Sequence, residues 1–107
     1  MPYFALLYET VDDYVAKRAA YRQDHLELAR AAHARGELLL AGALIEPTDG
    51  ALLVFRAPDK ATVESFAARD PYVVNGLIKK WEVRSWHVVI GNDPAEPGPP
   101  PPAPAGR

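Results

Sequence analysis

Three runs of the chain, residues 3–8, 37–45 and 51–55, are apolar at nearly every position. A strand that faces water on one side alternates apolar with polar side chains, so a run without alternation reads as a strand buried on both faces. The chain has 107 residues, enough for one domain and one core. Helices that follow and precede these runs can cover one face of the resulting sheet. The second face then stays too apolar for water, and large exposed apolar patches mark association. The expectation is a homodimer in which two sheets pack face to face, about 10 Å apart.

The segments between the runs complete the pattern. Thr10 opens a helix, with Asp13 three residues on as in a capping box. Val11, Val15, Ala19, Leu26, Ala29 and Ala32 recur close to helical spacing, and Gly36 ends the helix as a left-handed cap. Arg18, Arg22 and His25 fall in that same inward sector, where Leu or Ala is expected. Pro47-Thr48-Asp49-Gly50 carries turn chemistry, so the second and third runs form a hairpin with a short loop. Gly42, inside the second run, marks a bulge or a close approach by a ligand or another backbone. Asp59 caps a second helix whose buried side is Val63, Phe66 and Ala67. Asp70-Pro71 starts a short further helix, with Asp70 as its cap and proline in its first turn, and Gly76 closes it. Residues 78–90 form the last strand, with Trp81, Val83, Trp86, Val88 and Ile90 as its apolar content.

The order is strand, helix, strand, strand, helix, strand. It predicts an α+β fold of the ferredoxin-like βαββαβ type, a four-stranded antiparallel sheet with both helices on one face. Two such sheets packed together make a dimeric α+β barrel. The domain spans residues 1–92. From Asp93 the sequence is rich in proline and has no large apolar side chain to bury, which predicts a disordered or polyproline-like tail over residues 93–107.

Composition excludes several classes. Net charge is −2 with no basic run, which argues against nucleic acid as a partner. Cysteine is absent, ruling out disulfides and thiolate metal sites and fitting the cytosol. No apolar run approaches the roughly 20 residues that span a bilayer. The N-terminus lacks the basic region of a signal peptide, so a cytoplasmic protein is expected. There is no Gly-rich phosphate loop and no Gly-x-Ser-x-Gly elbow. His25 and His33 stand two helical turns apart, roughly 12 Å, too far to chelate one ion. Neither a metal nor a cofactor is expected.

His25 is the best candidate for catalysis. Imidazole titrates near neutrality and exchanges a proton readily, and a carboxylate on its second nitrogen steadies the imidazolium. Asp70 can supply that carboxylate if the short helix starts beside the long one. Arg22, one turn from His25, can grip an anionic oxygen or a carboxylate. Structural readings compete: His25 as a hydrogen-bonded core residue, Asp70 as a helix cap, Arg22 paired with Asp24 or Glu27. Trp81 and Trp86 read better as core or dimer contacts than as substrate stackers.

The Tyr-Phe-Ala-Leu-Leu-Tyr strand, Arg22-x-x-His25-Leu26, Gly36, Ala41-Gly42 and Asp70-Pro71-Tyr72-x-x-x-Gly76 together resemble the YCII-related (YciI-like) family over about residues 2 to 90. That resemblance implies a small dimeric α+β protein of ferredoxin-like topology, similar to muconolactone isomerase. It implies an active site built on a His–Asp pair, here His25 and Asp70. Arg22, Tyr72 and Gly42, from the same motifs, are the residues expected to bind substrate. Members with a known reaction act on small hydroxylated ring compounds by dehydrohalogenation. The chain departs from the family where proline often follows Ala-Gly and Ala43 stands instead, which bears on the pocket wall. The function expected is a cofactor-independent lyase or isomerase that moves a proton on a small hydroxylated cyclic substrate. The alternatives are a small-molecule binding or sensing dimer without catalysis, and a structural dimer whose polar pair only locks the first helix in place.

Overall fold

Antiparallel pairing of four strands organises the computed structural model, which describes residues 1–91. The proline-rich segment from Asp93 lies outside the described residues. The strands are β1 (Tyr3–Thr10), β2 (Leu38–Ala43), β3 (Gly50–Arg56) and β4 (Ile78–Trp86), in the sheet order β2-β3-β1-β4. The helices are α1 (Tyr14–Lys17), α2 (Arg22–Ala34), α3 (Lys60–Arg69) and α4 (Pro71–Val74), with a 3-10 turn at Arg18–Ala20 between the first two. This is the ferredoxin-like order that the apolar runs predict. Among the described residues no helix is long and apolar enough to cross a membrane.

The register explains how one face of the sheet became the core. Phe4 pairs with Phe55, Leu6 with Leu53 and Val83, and Tyr8 with Ala51 and Trp81. These positions share one side of the pleat, and Val63, Phe66 and Ala67 of α3 and Ala29 and Ala32 of α2 pack on them. The opposite side carries Ala5, Leu7 and Leu52, all half-buried, with Leu40 and Trp86 exposed at 71% and 47%. That is the apolar second face expected from the missing alternation.

The helix ends follow local chemistry. At the end of α2, Gly36 has φ +82°, the Glu37 amide donates to the Ala32 carbonyl and the Gly36 amide to His33. Both bonds of a Schellman motif are therefore made, where only glycine adopts the backbone without strain. Asp59 caps α3, its carboxylate accepting from the Thr62 amide at 2.9 Å. The Thr62 hydroxyl donates to the same carboxylate at 2.8 Å, and that bond, then the amide bond, hold the Asp59 carboxyl below its ordinary pKa.

Four expectations are corrected. Thr10 does not open a helix: its amide donates to the Asp49 carbonyl and that of Val11 to Leu77, so the chain stays extended there. The Thr10 hydroxyl is buried without a hydrogen-bond partner among the described residues. The first helix is not continuous, since the backbone leaves helical geometry at Tyr21 (φ −119°, ψ 0°), with no glycine or proline to mark the break. Val15 and Ala19 consequently point to water instead of the core. The hairpin connection runs over residues 44–49, longer than the turn motif alone implies, and β2 stops at Ala43. Finally, β4 ends at Trp86, and Ile90 is 89% exposed.

Candidate active site

Asp70 is the least expected buried residue, a carboxyl with no exposed surface. Burying a charge without partners is very costly, and three donors converge on this one. The Tyr8 hydroxyl reaches Oδ2 at 2.6 Å, and the Tyr72 amide reaches Oδ1 at 3.0 Å. His25 Nδ1 stands 2.8 Å from Oδ1. A carboxylate accepts only, so with Asp70 in that form Nδ1–H is the donor. The lone pair is then left on Nε2, which has no partner among the described residues.

Local sequence sets up this geometry. Pro71 fills the first position of α4, where its missing N–H is no loss, and Asp70 takes the extended backbone of a cap (φ −62°, ψ 123°). The side chain that caps α4 is the one that meets His25. Both readings of Asp70 therefore hold at once. Tyr72, two residues on, lies flat against the imidazole, with ring centroids 3.9 Å apart and planes at 11°. Tyr14 meets Tyr72 edge-on at 5.6 Å, and the Arg18 guanidinium sits 5.4 Å from the centre of the Tyr14 ring. The imidazole is thus held by a hydrogen bond in its plane and a ring beneath it.

His25 looks into a cleft of about 330 Å³ between α2 and the end of β2. Arg22, Tyr72 and Gly42 line the same cleft. Asp70 does not; it stands behind the histidine. The structure thus brings four of the five expected residues to one cleft and the fifth into contact with two of them, His25 and Tyr72. Arg22 forms no ion pair with Asp24 or Glu27 among the described residues. The expectation for Gly42 needs correction. The register shift in β2 falls between Leu38 and Leu40, ahead of the glycine. A Cβ on Gly42 would meet nothing within 4 Å, so no backbone of this chain approaches closely there. Trp81 packs against the core, whereas Trp86 stands on the outer face.

Sequence reasoning missed Tyr8 and Tyr14, and gave Arg18 no role although it stood in the same anomalous sector as Arg22 and His25. Tyr8 lines the cleft and donates to Asp70. Burial, then the Asp70 charge and the hydrogen bond to it, push the Tyr8 phenol far above its ordinary pKa, so it remains a donor. Its position at the inward-facing end of the first apolar run was the available signal. Burial also raises the Tyr72 phenol, helped by Tyr14, while Arg22 and Arg18 pull it back. Arg22 is close enough to act on that hydroxyl, yet no well-formed hydrogen bond joins them and the hydroxyl has no partner among the described residues.

Fold and site together define the class, a ferredoxin-like α+β protein with a small cleft lined by a histidine that a buried aspartate contacts from behind. Within that class the family is specific. The profile of the YCII-related domain matches residues 1–87, and the chain belongs to that family. No match is found among curated proteins. Several solved structures share the fold, three of them as follows. One is the 5-chloro-2-hydroxyhydroquinone dehydrochlorinase TftG from Burkholderia phenoliruptrix, in complex with 2,5-dihydroxybenzoquinone; it is 20% identical, with a TM-score of 0.69 over 78% of this chain and 92% of that one. Another is protein Atu4242 from Agrobacterium tumefaciens, 18% identical, TM-score 0.52, over 80% and 91% of the two chains. The third is an antibiotic biosynthesis monooxygenase from Deinococcus radiodurans, described by that name as a tentative assignment, 13% identical, TM-score 0.52, over 87% and 97%.

Proposed function

We propose that this protein is a cofactor-independent lyase or isomerase that transfers a proton on a small cyclic substrate. His25 Nε2 takes or relays the proton. Asp70 fixes the tautomer and stabilises the imidazolium from behind. Arg22, Tyr72 and the backbone at Gly42 contact the substrate in the cleft. The observation that carries the reading is the 2.8 Å contact between His25 Nδ1 and Asp70 Oδ1, made by a histidine that lines a cleft and whose other nitrogen has no partner among the described residues. A base placed in this way contributes about 10²–10⁴-fold to a rate. The dehydrochlorinase of the same fold, bound to a hydroxylated quinone, supports a hydroxylated ring as the substrate type. The reading includes a homodimer formed through the apolar outer face of the sheet, around Leu7, Leu52 and Trp86.

A thermal-shift screen of small hydroxylated and carboxylated ring compounds, followed by product analysis on each hit, tests the proposal. Wild type is expected to turn over at least one hit and to sediment at twice its chain mass. His25→Ala is expected to keep the fold and the dimer and to lose turnover. An alanine variant as active as wild type sinks the catalytic role. Saturable binding with no product from any hit makes the protein a binding module instead.

A further inference from the structure

The cleft wall holds two guanidinium groups and no carboxylate. Arg18 and Arg22 both line it, and no Asp or Glu does. Neither arginine is paired with an acid among the described residues. The acidic side chains near them in sequence are turned elsewhere: Asp13 pairs with Lys17 at 3.2 Å, and Asp24 and Glu27 are exposed away from the cleft. The helix α2 also begins at Arg22 with no side-chain cap over its first amides, which adds the positive end of a thirteen-residue helix to the same rim.

The second observation is independent of charge. Tyr72 is 2% exposed, lines the cleft, and its hydroxyl has no hydrogen-bond partner among the described residues. Buried hydroxyls are almost always paired, because an orphaned one loses its hydration for nothing. Here the missing partner is an acceptor, since burial keeps the phenol protonated. An acceptor that also answers two cations is an anion. Apart from His25, Tyr8 and Tyr14, the remaining side chains of the wall are apolar, among them Ala41, Ala43, Ile45 and Leu53, and there is no glycine-rich loop to wrap a phosphate. A planar carboxylate on an apolar skeleton fits this combination, matching the guanidinium fork.

We propose that the ligand of this cleft is a small organic acid, its carboxylate held by Arg18 and Arg22 with the Tyr72 hydroxyl as a third donor, and its carbon skeleton resting on Ala41, Ala43 and Ile45. The inference rests on reading the cleft as the substrate site and makes an acid group part of the substrate. Arg18 becomes a binding residue that the family motif does not include.

Calorimetric titration of the full chain tests it, with benzoate as the probe and benzamide and inorganic phosphate as comparisons. Benzoate is expected to bind at least tenfold more tightly than benzamide or phosphate. Arg18→Gln and Arg22→Gln should each weaken benzoate by roughly tenfold or more, the scale of one charge-assisted hydrogen bond, and weaken benzamide much less. Tyr72→Phe keeps the ring against His25 and should weaken benzoate severalfold. Equal affinity for benzoate and benzamide, no benzoate binding at millimolar concentration, or arginine variants that bind as wild type would each overturn the inference. Tighter phosphate than benzoate overturns the carboxylate class. These outcomes are separate from the catalytic reading: benzoate selectivity with no turnover of any acid leaves this inference standing and removes the proton transfer, and the converse result does the opposite.

Discussion

α3 and α2 lie on the same face of the same sheet and pack on it in opposite ways. Under α3 the layer is sealed. Val63, Phe66 and Ala67 are at most 2% exposed, and Phe66 meets Phe55 edge-on at 5.0 Å. Under α2 only Ala29 and Ala32 are buried, and the facing end of β2 is left open at Ala41, Gly42 and Ala43. Where α3 places phenylalanine, α2 places His25 and Arg22. One helix spends its inward face on packing, and the other leaves its inward face incomplete and lines a cleft with it. The polar cluster sits at the junction where α4 brings Asp70 under α2.

The contrast makes predictions of graded size. Phe66→Ala removes a buried ring from the sealed side and is expected to destabilise the fold by about 3–5 kcal/mol, read from urea unfolding. Benzoate affinity of the folded protein should not change; if it does, the two halves are not independent. Asp70→Asn confronts three donors with an amide that itself donates, and a loss of about 3 kcal/mol is expected together with loss of turnover. Full stability in that variant would mean that the carboxylate holds nothing together. Tyr8→Phe removes one donor from Asp70 and should cost about 1.5 kcal/mol. It also carries a pH signature. The Tyr8 phenol is raised in the folded state, so its stabilisation is present in full below about pH 10, its ordinary value, and is lost as pH rises beyond that. The alkaline decline in stability of wild type should therefore be shallower in Tyr8→Phe, measured by unfolding at pH 9 to 11.

The sequence exposed the sealed half better than the open one. Asp59, Val63, Phe66 and Ala67 follow local rules of capping and periodicity, and the structure agrees with each. The open half was legible as an anomaly, a histidine and two arginines in an apolar sector, and the structure does put all three at one cleft. Its detail was not legible. The break at Tyr21 has no residue that demands it, and the late start of α1 depends on backbone bonds from Thr10 and Val11 to the distant Asp49 and Leu77. The Tyr8 contact to Asp70 joins residues 62 positions apart, a separation that no spacing rule on a single chain reaches.

One carboxylate closes α4, anchors a strand through Tyr8 and faces the imidazole of His25. Two of those three duties would survive the loss of any chemistry. A lineage that had stopped using the cleft would still keep Asp70, since folding alone selects for it, and would drift first at Arg22 and Arg18. Persistence of the aspartate across descendants is therefore a record of architecture first, whereas Arg18 and Arg22, which have no acidic partner in the fold among the described residues, would be the first to change.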